Sequence, residues 1–361
     1  MTGLLDGRPG PLLVVAHEAS RTGAPRVLLD LLGGLKERWA VPTAVRLEAG
    51  GPLAGDLLAM DDGPLVGDPS VVLVNSALAA GVDRPAGVPS ALYVHEDRDA
   101  LDLLPLPDRR AMAGFDRVLC VSPGVAADVV DVGVDRSRVC VLPPIVVPQV
   151  QPDDRACLAA RRAMGAEPGE AVVVGCGEGG WRKGADLFVA MAHRLAGSPG
   201  LRFAWAGARP LPFAEVLDHD VASVGLGDRF TWLGEVARPE ACLAAADVVV
   251  ITSRYDAQPL VPIEAALLGT PSVGFAVGGM VDMAGSGAAL TVPYPDVVAL
   301  ADTVSRVIAS RKLRTDLLLR ALRRWRVRQS PQVVVPRFAR LLAELSAPAP
   351  TVAGEEARPW A

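Results

Sequence analysis

Aromatic residues make up only 4 % of the 361 positions. A core of this size must therefore be filled by Ala, Val, Leu and Gly, which suits helices packed closely on sheets. Sulfur and imidazole are sparse as well. The five cysteines are Cys120, Cys140, Cys157, Cys176 and Cys242, none in a C-x-x-C pair, and there are four histidines. That spacing excludes a zinc framework and reads as buried thiols in a reducing compartment. An excess of basic charge is also missing: the formal net charge is −5. A general nucleic-acid binder, whose affinity rests on phosphate neutralisation, is thereby disfavoured. No apolar run is long enough to cross a bilayer. The first run, 12–16, is strand-length and follows no basic segment, so a signal peptide is not expected and a cytoplasmic location is.

What the chain does have is length and apolar content. Half of the residues are hydrophobic and 21 % are charged. The length exceeds one ordinary core and points to two domains. Short apolar runs alternate with helical patterns, as in a parallel sheet with crossover helices. In the first half the runs 12–16, 44–47, 71–74, 91–94, 118–121 and 139–142 read as strands, with a helix at 25–37 and an N-cap at Ser122-Pro123. Residues 143–154, PPIVVPQVQPDD, hold four prolines and read as a linker. The pattern restarts with a helix at 154–164 and strands at 171–175, 201–206, 230–233, 248–252 and 272–275. The expected division is 1–147, a first doubly wound domain, and 148–330, a second. A closing helix is expected over 331–346, where a helical pattern runs over 338–346 after Pro336, and a tail of disordered composition is expected over 347–361. Two such units facing each other leave a cleft at the carboxyl ends of their strands, where open α/β sheets bind ligands.

The run from Ser253 to Pro271, SRYDAQPLVPIEAALLGTP, follows one of these strands. Pro259 and Pro262 sit where a helix opens, a place where missing amide protons cost nothing. The free N–H groups near Leu260 and Val261, with the helix dipole, suit an anion such as a diphosphate. Glu264 in the first turn is by itself ordinary dipole compensation. Asp256, eight residues earlier at the mouth of the loop, changes that reading, because the two acids could grip hydroxyls on both sides of a diphosphate. The stretch resembles the E-x7-E motif of retaining glycosyltransferases of family 4, glycosyl transferases group 1. The resemblance implies that Glu264 binds the ribose and Asp256 the transferred sugar, with the backbone of Gln258, Pro259, Leu260 and Val261 facing the diphosphate and sugar. Asp stands first where Glu is commoner, and Gln258 stands where Phe is usual.

A second element, GCGEGGWRKGADLF, spans residues 175–188. Gly175, Gly177 and Gly180 satisfy G-x-G-x-x-G after a strand, so a dinucleotide fold is a rival. That fingerprint needs an acid at the end of the next strand. Here Gly207-Ala208-Arg209-Pro210 follows instead. Arg182 and Lys183 lie just before a helix start, where they oppose its dipole. A solvated basic turn is the plain reading, and a diphosphate neutralised by both cations is the other. W-R-K-G resembles the segment of a family 4 subgroup whose Arg and Lys clamp the donor diphosphate. Glu178 stands where many members carry a further Arg. By the same resemblance the backbone around Trp232 to Glu235 would hold the base, although buried strand aromatics need no ligand.

On the acceptor side, Thr22-Gly23-Ala24-Pro25 joins a strand to a helix. Gly23 permits close approach of a phosphate, or is simply a turn. It resembles the family's N-terminal glycine loop. His17-Glu18 and His95-Glu96 follow two strand ends. His95 fits the family's His near the transferred sugar, while His17, Asn75 and Glu96 are candidate acceptor-side contacts.

The resemblance thus implies a GT-B fold, two Rossmann-like domains across a cleft, and a hexosyltransferase-like enzyme. It would move a sugar from a UDP- or GDP-linked donor to an acceptor hydroxyl with retention. Asp256, His95 and Lys183 would act at the reacting centre. The nucleotide-diphosphate sugar is a co-substrate, and no metal or other cofactor is expected. One rival is a catalytically impaired scaffold that only binds nucleotide sugars. Another keeps the fold but catalyses epimerisation or phosphorolysis. The basic segment 311–328 reads as a solvated outer face, with a peripheral membrane contact as the other reading. Nothing in the sequence speaks to oligomeric state.

Overall fold

The structure, a computed structural model, describes residues 9–347. Of the expected tail, residues 348–361 lie outside the described residues. The first sheet contains β1 (Leu12–Ala16), β2 (Thr43–Leu47), β3 (Val71–Asn75), β4 (Ser90–Val94), β5 (Arg117–Cys120) and β6 (Val139–Val141), in the order β2-β1-β3-β4-β5-β6. The second contains β7 (Ala171–Cys176), β8 (Leu201–Ala206), β9 (Phe230–Gly234), β10 (Val248–Ile251), β11 (Ser272–Phe275) and β12 (Leu290–Val292), in the order β12-β11-β10-β7-β8-β9. All pairings are parallel. The interior strands β3 and β4 are buried at every position, whereas the edge strand β6 is half-exposed throughout. Continuous apolar runs are what a parallel sheet covered on both faces requires. Strand β12 has three residues. That is too short for alternation to register, and the sequence reading passed over it.

In both sheets the chain works outward from a central strand and then returns to its other side. The reversal falls between β1 and β3 in the first sheet and between β7 and β10 in the second. Crossover loops diverge there, and a crevice opens at the carboxyl ends of the strands. The loops after β1 and β3 carry Gly23 and Asn75, and the loops after β7 and β10 carry Arg182, Lys183 and Asp256.

The chain passes between the domains twice. Ile145 packs in the first core and Val146 in a cluster of the second. The return crossing follows the 18-residue helix Arg311–Arg328. Val146 N–H donates to Gln329 O at 2.9 Å, and Trp325 Nε1 donates to Val146 O at 2.8 Å, so the crossings lie side by side. The last helix, Pro331–Ser346, begins before Pro336 and contains it. The pattern read over 338–346 is the part of this helix after Pro336, and the helix itself starts seven residues earlier. Pro331 already occupies the first turn, and one internal proline removes a single ladder bond that burial of Val334, Phe338 and Leu342 offsets. This helix packs on the first domain. A Cβ on Gly34 would lie 2.5 Å from Val335 Cγ2, so glycine there permits the approach. Helix Arg311–Arg328 turns part of its charge inward, because Arg314 donates to Val307 O and Ile308 O while Arg324 and Arg328 pair with Asp282. No described helix is long and apolar enough to cross a membrane.

Candidate active site

The loop after β10 leads into the helix Val261–Leu267. Ala257 is buried in the first domain's core and Leu260 packs against cores of both domains, so this loop is where the domains meet. Both acids of the motif are 8 % exposed. Buried carboxylates need partners, and each has one. Lys183 Nζ lies 2.5 Å from Asp256 Oδ2, with Ser253 Oγ at 3.3 Å from the same oxygen. Glu264 Oε1 lies 2.6 Å from Nη2 of Arg26, a residue of the opposite domain. Between the acids, the N–H groups of Leu260 and Val261 donate to no acceptor among the described residues. Gln258 Nε2 is buried without a partner, and its side chain packs against Gly279. Cys176, Lys183, Thr252, Asp256, Pro259 and Leu260 line a small cavity of about 20 Å³.

The W-R-K-G loop is clamped onto this one. Arg254 donates from Nη1 to Trp181 O at 2.6 Å and grips both oxygens of Asp186 at 2.8 and 2.6 Å. Its backbone N–H donates to Arg182 O, and Thr252 Oγ1 donates to Lys183 O. Gly184 has φ +67° and its missing Cβ would lie 2.1 Å from Thr252 O, so only glycine allows this contact. The result brings Lys183 to Asp256. Among the described residues the Arg182 guanidinium forms no ion pair or hydrogen bond, and it lies 5.8 Å from the Tyr255 ring centroid.

Of the glycines of the rival fingerprint, Gly175 is explained by packing and Gly177 by its φ of +134°. A Cβ on Gly175 would lie 2.3 Å from the buried Trp205 ring, and Gly177 O accepts from Trp205 Nε1. Trp232 sits in the middle of β9, its ring tilted against Phe230 at 4.5 Å and under Arg209 at 4.5 Å, with its Nε1 buried and unpartnered among the described residues. It forms no hydrogen bond to the Lys183–Asp256 group.

Across the cleft, helix Gly23–Trp39 starts without a side-chain cap and without an acid in its first turn. Thr22, the capping position, points its hydroxyl to Glu18 and Ser20 instead. The N–H groups of Gly23 and Ala24 therefore have no protein acceptor. The position of a Cβ on Gly23 lies 3.5 Å from Leu260 Cδ1, so two uncapped helix starts abut.

His95 Nε2 lies 2.9 Å from Asn75 Oδ1, and Asn75 Nδ2 donates to Ala24 O at 3.3 Å. With the amide so oriented, Nε2 carries the proton and Nδ1 is an acceptor. Burial pushes the pKa of His95 down to about 3, so the ring is neutral at pH 7. Glu96 accepts from Ser76 Oγ, Ala77 N–H and His95 N–H, which commits it to loop shape. His17 makes no hydrogen bond to any of these groups. Asp97, the next residue on, has its carboxyl pushed up by burial and by Asp256, with Arg182 opposing.

Three residues escaped the sequence reading. Arg26 carried a readable signal, since a cation beside a helix start opposes the dipole, the same anomaly noted at Arg182 and Lys183. Asp97 lay beside the His95-Glu96 pair. Arg254 had no local signal. Among the described residues no three His, Cys, Asp or Glu side chains converge as a metal-holding group.

Comparison with known proteins bears on this geometry. Residues 170–310 match the family described as glycosyl transferases group 1. The 2-deoxystreptamine N-acetyl-D-glucosaminyltransferase of Streptomyces fradiae is 32 % identical over 324 residues, covering 81 % of this chain and 72 % of that protein. A D-inositol 3-phosphate glycosyltransferase of Mycobacteroides abscessus is 30 % identical over 234 residues, covering 62 % of this chain and 51 % of that protein. Among solved structures, Anabaena Alr3699/HepE in complex with UDP superimposes with a TM-score of 0.81 at 17 % identity, covering 92 % of this chain and all of that one. WaaG, a glycosyltransferase involved in lipopolysaccharide biosynthesis, gives a TM-score of 0.69 at 14 % identity, covering 92 % and 99 %. The fold is GT-B.

Proposed function

The chain belongs to the glycosyl transferases group 1 family and is a glycosyltransferase, and from that premise we propose that it moves a hexose from a UDP-linked donor to a cyclitol hydroxyl with retention of anomeric configuration. The observation that carries this reading is the loop in which Asp256 and Glu264, both buried and ion-paired, flank the free N–H groups of Leu260 and Val261. A diphosphate between those amides and the Lys183 and Arg182 side chains would have its negative charge met by two cations and a helix start. The amides of Gly23 and Ala24 would meet it from the other wall. Glu264 would accept from the ribose, and the strand at Trp232 would hold the base.

The chemical step would rest on electrostatic preorganisation. Charge grows on the departing diphosphate, and donors already in place cost no reorganisation. No metal is required in this scheme. Asp256 would orient the transferred sugar. His95, neutral and with Nδ1 as acceptor, would accept from a sugar hydroxyl and not serve as an acid. The choice of UDP draws support from the neighbours solved with UDP and UDP-glucose. The cyclitol acceptor draws support from relatives named for 2-deoxystreptamine and D-inositol 3-phosphate.

The test is a panel of UDP- and GDP-linked hexoses against 2-deoxystreptamine and inositol phosphates, with and without chelator. The expected outcome is release of UDP together with a product one hexosyl unit heavier, of unchanged anomeric configuration, at a rate chelator does not alter. Donor binding without transfer to any acceptor would favour the scaffold alternative. Loss of activity with chelator would refute the metal-free scheme.

A further inference from the structure

Among the described residues two ion pairs join the domains, and they are unlike. Arg21–Glu235, at 3.1 Å, has side chains 51 % and 65 % exposed, and water screens it. Arg26–Glu264, at 2.6 Å, has its carboxylate 9 % exposed. It is also a single-point contact. Arg26 uses Nη2 and Glu264 uses Oε1, while Oε2 has no donor among the described residues. A carboxylate held by one oxygen in a buried site keeps the lone pairs of the other for a ligand.

The surroundings make Arg26 hard to replace. Asp30, one turn further along the same helix, has its carboxyl pushed up to about 6, chiefly by burial, with Glu264 adding to the rise and Arg26 opposing it. Glu240 also acts on Arg26, and Cys176 faces Glu264. Without Arg26, Glu264 would lose its one ion-pair partner among the described residues, while Lys183 is engaged by Asp256. The two helix starts abut through Gly23 and Leu260, so docking of the first domain delivers Arg26 to this spot.

We propose that Arg26 is a positioning residue for the donor: reaching from the opposite domain, it holds Glu264 by Oε1 so that Oε2 is turned to the ribose hydroxyls. The proposal rests on the reading of Glu264 as the ribose acceptor. It makes nucleoside recognition depend on domain docking, because half of the recognition device is contributed by each domain. A purely mechanical interdomain clamp would not select among nucleotides, and this sets up the test.

Calorimetric titration of the full chain with UDP and with 2′-deoxy-UDP reads the ribose contact as a ratio of Kd values. The wild type is expected to favour UDP by about tenfold or more, the scale of one hydrogen bond to a charged group. In Arg26→Gln the ratio should fall towards one, and Arg26→Lys should restore most of it. Glu264→Gln should also bring the ratio towards one. If Arg26→Gln keeps the wild-type ratio, or weakens both nucleotides equally, while Glu264→Gln abolishes discrimination, the role of Arg26 is overturned and the proposed function stands. A wild-type ratio near one would overturn the Glu264 assignment and this proposal with it.

Discussion

On the first-domain wall of the cleft, Glu96 takes the hydroxyl of Ser76 and two backbone amides, Glu18 takes Ser20 and Thr22, and His95 is bonded to Asn75, which reaches Ala24. On the second-domain wall, Leu260 and Val261 keep their amides free, Arg182 keeps its guanidinium free, and the buried charges stand in pairs. Apart from the amides of Gly23 and Ala24, the polar groups named on the first wall bond to one another and set loop shape. The second keeps donors available where an anion would lie. Difference in chemistry follows from this difference in satisfaction, since a group already bonded to its neighbours has little left for a ligand.

The strongest way to break the comparison is Lys183→Ala. It removes a cation from the open wall and leaves Asp256 without its partner, so kcat/KM measured by UDP release should fall on the order of 10²-fold or more. A loss under threefold would mean the wall is not catalytic. His95→Gln probes the first wall through stability. The unfolded pKa is 6.5 and burial holds the folded value near 3. As pH falls below 6.5 the unfolded chain takes a proton that the folded chain refuses, so stability is lost on the acid side. Asp30 works the other way, because its folded value near 6 exceeds the unfolded 3.8 and the folded chain takes up the proton first. Between pH 7 and 5, wild type should therefore lose roughly 1–2 kcal/mol relative to His95→Gln, read from denaturant unfolding at each pH. Parallel curves would show that His95 is not held neutral. The smallest effect sharpens the contrast between the two interdomain pairs. Arg21→Ala should change stability by no more than about 0.5 kcal/mol and leave UDP affinity as it was, in a thermal and calorimetric comparison with Arg26→Gln.

Much of the donor wall was legible because it is built locally. A strand, a proline-opened turn and an acid in the first helical turn occupy consecutive residues, so Asp256, Leu260, Val261 and Glu264 could be read together. Arg182 and Lys183 stood out because cations before a helix start need a reason. The first wall was less legible. Asn75 and Glu96 could be named as polar residues at strand ends, yet nothing in their spacing told that they bond one another's loops. The glycine fingerprint shows the converse: Gly175 reads as a ligand motif in sequence, while in the structure it makes room for Trp205.

Periodicity, turn chemistry and helix polarity are short-range properties. By itself, therefore, the sequence determined the alternating strands and helices, the proline-rich crossing at 143–154 and the acids and cations of the donor loops. Tertiary structure alone decided that Arg26 meets Glu264 across 238 residues, that Arg254 clamps the Trp181–Gly184 loop, and that the last helix returns to the first domain. Such partners depend on where each sheet reverses and how the two sheets dock. Those choices come from the summed packing of both cores, which no local spacing encodes.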